Sequence, residues 1–329
     1  MSKKVAIIPG DGVGPEIISS AVAAIDSLVS DIELVNVDAG YDCYLRTGEQ
    51  LPLETVEAVS ECDATLLGCM NIPDDRMFRN PVDDIKKKMG LFANAKFIQK
   101  MVPDVGIVDI DAVFFREENQ YADLSEVEDV DGASMTMKVH YASCKRMFQL
   151  VKGLAEAHGM DVTCVHNMKR VPVVDGLFLK TFHEVMDGSS IPYNDEGIEG
   201  ASSTIIMNPS RFQYVVSLNP YSDIISSEAA AMVGGAHLIP EAILGDNNGL
   251  FMPMHGPVMR LKGLNQANPT AMLMATSKML KFLGYDKESE KLKEAIRSAY
   301  KRGFRTPDVG GTTGTYDFTS QVVKICETQ

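Results

Sequence analysis

Short apolar runs alternate with longer stretches of helical periodicity through the first seventy residues. Val5-Ala6-Ile7-Ile8 is an unbroken apolar run closed by Pro9-Gly10, which predicts a buried strand entering a turn. Pro15 suits a first helical turn, and Ile17, Ile18, Ala21, Val22, Ile25, Leu28 and Val29 recur at helical spacing, predicting a helix over 15–29. Strands are predicted over 32–37 and 64–68, with a helix over 53–60 between them. This β-α-β-α-β order calls for an α/β domain with parallel strands.

The middle of the chain reads differently. Residues 104–118 and 132–141 alternate or run apolar with polar breaks, predicting strands that pair without a helix between every two, and hence a second, mixed domain. A helix over 145–158 puts Met147, Phe148, Val151, Leu154 and Ala155 on one face, and a strand over 161–165 follows. From Asn268 the pattern is helical again. Leu292, Ala295, Ile296, Ala299 and Tyr300 fall at i, i+3, i+4, i+7 and i+8, which predicts an amphipathic helix over 287–302.

Length and composition narrow the class of protein. At ~150 residues per domain, 329 residues correspond to about two domains. Lys plus Arg number 31 against 45 for Asp plus Glu, a net charge of −14, which opposes counterion release from nucleic acid. No apolar stretch approaches the ~18 residues of a membrane span, and the first residues carry too short an apolar core for a signal peptide. Six cysteines without CxxC spacing fit a reducing compartment, so a cytoplasmic location is expected.

The segment Gly10-Asp11-Gly12-Val13-Gly14-Pro15-Glu16 lies between a predicted strand and helix, where exposed amides can meet an anion. Its third glycine comes one residue too early for the G-x-G-x-x-G dinucleotide fingerprint, so spacing alone favours a plain strand-to-helix turn.

With its flanks, IPGDGVGPE resembles the opening of the isocitrate/isopropylmalate dehydrogenase family of β-decarboxylating dehydrogenases. GLFAN at 90–94, VxxVH with DGLFL at 162–166 and 175–179, NPYSDIISSEAA at 219–230, HG at 255–256, QANPTA at 266–271 and TPDVGGTTGT at 306–315 follow in the family's order. The resemblance implies a two-domain α/β fold with a mixed sheet, not a Rossmann fold. It also implies a large cofactor-binding domain from 1–97 and 234–329, a small domain from 98–233, and a homodimer or larger assembly sharing its sites. The implied activity is oxidation of a 2-hydroxy acid with NAD or NADP and loss of its β-carboxylate, assisted by Mg²⁺ or Mn²⁺.

Residue by residue, the resemblance carries over with departures. Lys86 and Lys96 stand at the first two substrate arginines, and Arg116 at the third. Lysine keeps the charge but loses the bidentate fork. Asp83 and Asp84 lie where substrate specificity is set; they read equally as a solvated helix face. Tyr121 takes the catalytic tyrosine's place after a short deletion, and Asn167 occupies that of the catalytic lysine, with Lys169 able to substitute if the strand is bulged. The metal aspartates correspond to Asp223, Ser227 and Glu199, the last in the place of the aspartate given by the neighbouring subunit. His255, Gly256 and Asn268 match the residues around the adenine. Arg260 replaces the aspartate that receives the ribose hydroxyls of NAD, favouring NADP.

Two functions follow. The first is an active dehydrogenase for an acid of the isocitrate, isopropylmalate or homoisocitrate type. The second is a degenerate relative serving as a regulatory subunit beside an active paralogue, which Asn167, Ser227 and Arg260 favour.

Overall fold

The computed structural model describes residues 2–74, 78–121 and 124–328, with Tyr121 described by its backbone alone. The chain forms two compact units, one of residues 1–91, 100–107 and 233–329, the other of 92–99 and 108–232.

In the first unit the strands lie in the order Ile32–Asn36, Lys3–Gly10, Ala64–Cys69, Gly249–Pro253, Pro240–Leu244. The first four run parallel and the last is antiparallel to its neighbour. Val5, Ala6, Ile7 and Ile8 are all buried, the burial on both faces that an unbroken apolar run predicts. Helix Gly14–Leu28 buries Ile17, Ile18, Ala21 and Ile25, and helices Thr270–Phe282, Asp286–Lys301 and Thr315–Thr328 pack in the same layer. Three of the four begin or end within two residues of the pattern's boundaries or at the predicted helical onset.

In the second unit Ala93–Gln99 pairs antiparallel with Asp111–Glu117, followed by Tyr214–Ser217, Val162–His166 and Tyr193–Gly197, all parallel. Strand period two then divides the side chains. Ala93, Ala95 and Phe115 face a core built with helices Tyr141–His158 and Val174–Met186, where Phe148, Phe178 and Phe182 meet at ring distances of 4.8 and 5.5 Å. Asn94, Lys96 and Arg116 have the opposite parity and face helix Tyr221–Met232.

Two expected strands are shorter than the pattern suggested. Residues 104–110 form turns and bends, and the strand covers only Asp111–Glu117, because Ala93–Gln99 offers partners only from residue 111 onward. The 132–141 segment is a strand only over Gly132–Thr136. It pairs with Ser125–Asp129 in a hairpin exposed along its whole length, and a helix begins at Tyr141.

Candidate active site

Two strands, the short turn that follows one of them, and one helix bring four charges together in the second unit. The Lys96 ammonium donates to Asp223 Oδ1 at 2.6 Å and to Ser226 Oγ at 3.3 Å. The Arg116 guanidinium donates to Asp223 Oδ2 at 3.2 Å and to Glu118 Oε2 at 2.8 Å. Helix Tyr221–Met232 carries Asp223 in its first turn, where the helix dipole favours a carboxylate. Burial pushes the Asp223 carboxyl upward, but the charges of Arg116 and Lys96 outweigh it and hold the group below its ordinary range. The cluster is a preformed pair of cations whose counter-ions are protein carboxylates.

A buried amide pair fixes this arrangement. Gln120 Nε2 donates to the Asn219 carbonyl at 2.7 Å, and Asn219 N–H donates to Gln120 Oε1 at 2.8 Å. Asn219 Nδ2 in turn donates to Asp223 Oδ2 at 2.7 Å. Neither Gln120 nor Glu118 stands out in the sequence, and Asn219 does so only as the first residue of the 219–230 segment. Only the contact across about a hundred residues gives Gln120 and Asn219 a role.

The expected acid-base and metal residues are placed as follows. Strand Val162–His166 keeps an unbroken register with Tyr193–Gly197. The bulge that would have moved Lys169 into the catalytic lysine's position is therefore absent, because every strand residue already has its partner. Asn167 follows the strand, its N–H donating to the Asp175 carboxylate. Lys169 lies in the next turn, 78% exposed, with its ammonium 3.9 Å from Glu199 Oε2; Glu199 is itself 68% exposed. The structure thus joins Lys169 to Glu199, and Lys96 and Arg116 to Asp223, and does not gather the two groups. The side chain of Tyr121 lies outside the described residues.

One chain supplies only part of the donor set expected for a divalent cation, since Glu199 stands in the place of the neighbouring subunit's ligand. Among the described residues no three His, Cys, Asp or Glu side chains gather to hold a metal. Both Asp223 oxygens already hold cations, and Ser227 Oγ donates its proton to the Asp223 carbonyl at 2.6 Å. A hard cation needs several convergent oxygens, which a single committed carboxylate does not supply.

The residues expected at the cofactor lie in the first unit. Val13 N–H donates to the Pro257 carbonyl at 2.9 Å, and a Cβ on Gly12 would come within 2.0 Å of that oxygen, so only glycine allows the two loops to touch. His255 Nδ1 lies 2.9 Å from the Gly256 carbonyl, while its Nε2 is buried without a partner among the described residues. Burial lowers the His255 pKa, which keeps the ring neutral and Nε2 able to engage a nucleotide base. Val258 adopts a positive φ of 39°, an outlier for a β-branched residue, between His255 and Arg260. Arg260 is exposed and makes no ion pair among the described residues. Asn268 is committed, accepting from Thr270 N–H at 3.0 Å and donating to Asp308 at 3.0 Å. The buried His255 Nε2, without a partner among the described residues, and the exposed Arg260 five residues further along are groups that could hold an adenine nucleotide.

Two acids of the opening motif brace these loops. Glu16 is buried and accepts from Asn265 N–H at 3.2 Å, Ala267 N–H at 3.1 Å and the Thr315 hydroxyl. Asp11 accepts from the N–H groups of Tyr41, Asp42 and Asn71 at 3.0, 2.7 and 2.8 Å. The glycine-rich opening is thus a turn whose own carboxylates tie down neighbouring backbone. Lys86, on helix Pro81–Met89, pairs with Asp83 at 2.7 Å, and Asp84 is exposed.

Strand-borne cations paired with a helix-borne carboxylate give this α/β fold groups that can hold an anionic ligand. Comparison with known proteins gives the class. The family model described as isocitrate/isopropylmalate dehydrogenase matches residues 4–325. The chain is 34% identical over 331 residues to 3-isopropylmalate dehydrogenase of Methanothermobacter thermautotrophicus, covering 99% of both chains. It is 30% identical to isocitrate/homoisocitrate dehydrogenase of Thermus thermophilus, covering 98% of both. The crystal structure of isocitrate dehydrogenase from Methylococcus capsulatus superposes with a TM-score of 0.92 at 27% identity, covering 99% of both chains. The chain belongs to the isocitrate/isopropylmalate dehydrogenase family, and is an NAD(P)-dependent enzyme of its β-decarboxylating class. The mixed α/β fold expected from the sequence is the one found.

Proposed function

We propose that this enzyme oxidises and decarboxylates a 2-hydroxy acid of the isocitrate, isopropylmalate or homoisocitrate type. The observation that carries the reading is the convergence of Lys96 and Arg116 on one strand face, opposite Asp223. In the reaction the substrate's hydroxyl proton goes to a base and a hydride leaves C2; the β-carboxylate then departs as carbon dioxide, and the enolate regains a proton. Lys96 and Arg116 grip the carboxylates and place positive charge where the enolate develops. Tyr121 carries one proton; Lys169, exposed beside Glu199, serves as the other carrier only when presented to the site of a second copy. Asn167 donates hydrogen bonds but moves no proton.

The nicotinamide cofactor accepts the hydride when bound. His255, Gly256 and Asn268 surround its adenine, and Arg260 favours the 2′-phosphate of NADP. The family uses a divalent metal; Mg²⁺ or Mn²⁺ was expected at Asp223, Ser227 and Glu199. Asp223 and Ser227, with Glu199 from a second copy, would hold that ion, which would polarise the forming keto group; no step here runs through it.

The two units serve as cofactor and substrate domains. A homodimer is supported by exposed apolar side chains on adjoining helices, Ile206, Met207 and Ile224, and by an isolated two-stranded hairpin, a form marginal in water by itself. The exposed Lys169–Glu199 pair is then available to a second copy. Six free, buried cysteines support a cytoplasmic location, and among the described residues no helix is long and apolar enough to cross a membrane. A regulatory subunit without turnover is the second reading, favoured by Asn167 and Ser227.

The test is nicotinamide reduction by the purified protein with Mn²⁺, each acid type and either NAD or NADP. Turnover with at least one acid, several-fold faster with NADP, is expected, and Arg260→Asp should reverse that preference. No turnover with any pair would favour the regulatory reading.

A further inference from the structure

The cofactor reading uses one histidine, and the first unit holds a second that belongs to none of the segments carrying the family resemblance. His237 lies in the short helix Ala236–Leu238, directly after Gly234 and Gly235, whose φ angles are 121° and 118°. A Cβ on Gly235 would stand 2.8 Å from His237 Cε1 and 3.0 Å from Nδ1, so the bare glycine lets the ring fold back over the chain. His237 Nε2 lies 3.1 Å from Asp308 Oδ2, and both side chains remain 31% exposed.

Asp308 ties this ring to the residues expected at the adenine. The same Oδ2 accepts from Asn268 Nδ2 at 3.0 Å, and Oδ1 accepts from the Thr306 hydroxyl, so the carboxylate is held in place by its own partners. The charges of His237 and Asp308 both act on the His255 ring, which puts the two histidines in one cluster. A carboxylate at Nε2 favours the tautomer with its proton there and leaves Nδ1 as an acceptor. Nε2 is buried, whereas Nδ1, on the accessible part of the ring, takes no hydrogen bond among the described residues.

Resting on the reading of these loops as the cofactor site, we propose that His237 is a further cofactor-binding residue, whose Nδ1 accepts a hydrogen bond from the exocyclic amine of adenine. Asp308 is its positioning residue. An acceptor selects for the amine, because hypoxanthine carries a carbonyl at the same place and would set one acceptor against another.

Calorimetric binding of NADP and of its hypoxanthine counterpart to the whole protein tests this, at about pH 8, where an imidazole is ordinarily neutral. The wild-type protein should bind NADP the more tightly. His237→Leu should weaken NADP about fivefold, the scale of one net hydrogen bond, and change the hypoxanthine nucleotide much less, so that the preference shrinks. His237→Phe gives the same reading if His237→Leu does not fold. Equal binding of the two nucleotides by the wild type overturns the inference and needs no variant. So does an equal loss for both nucleotides, which a merely structural role would give, or an unchanged preference in a folded variant. Binding of neither nucleotide to the wild type overturns the cofactor-site reading itself and this inference with it.

Discussion

Arg116→Met lowers the stability of the second unit and abolishes carboxylate binding together. Methionine matches the length of the stem but removes the guanidinium 2.8 Å from Glu118, which is 6% exposed, and one of the two cations paired with Asp223. Breaking a buried pair by removing one partner costs about 3–5 kcal/mol. Asp223 is 45% exposed and recovers water, which puts the expected loss near the lower end, about 3 kcal/mol. The unfolding midpoint should fall by roughly 5–10 °C. Arg116→Lys should restore most of the stability but only part of the substrate affinity, because an ammonium cannot bridge Glu118 and a ligand in a planar fork. A variant as stable as the wild type would show that Arg116 is not the counter-ion of Glu118.

Asp11→Ala is expected to be as costly in the first unit, with no change in net cation count near any substrate. Asp11 is 1% exposed and its two oxygens accept three backbone N–H groups from two separate loops. Each buried donor left unmade costs about 1–3 kcal/mol, and water entering the gap recovers part of it. A loss of about 3–4 kcal/mol is expected on that basis, read from the denaturant midpoint at unchanged slope. Asp11→Asn should fall between, since its amide nitrogen turns one acceptor into a donor facing a donor. A loss below about 1 kcal/mol for Asp11→Ala would mean that these N–H groups find other partners.

Local patterns made much of the scaffold readable. Val5 to Ile8 and the stripe from Ile17 to Ile25 are single-element signals, and strand and helix form where they indicate. The site depended on contacts that no local pattern carries. Lys96 on a strand reads as a polar interruption until Asp223, 127 residues on, supplies its counter-ion. Glu118 reads as one more surface acid, and its burial follows from the backbone turn that folds it onto Arg116. Lys169 shows the reverse limit: its closeness in sequence to Asn167 suggested an exchange of roles, and an unbroken strand register leaves it in an exposed turn. Motif order indicated which residues to compare, whereas the pairing of charges had to come from the three-dimensional structure.

The most direct test of the central claim measures two products at once. The purified protein is given Mn²⁺ and a 2-hydroxy acid labelled in its β-carboxylate, with NADP or NAD, and reduced nicotinamide and labelled carbon dioxide are both counted. The account predicts equal amounts of the two, and loss of both in Arg116→Met. Reduced nicotinamide without carbon dioxide, or neither product from any acid of the three types, would contradict it.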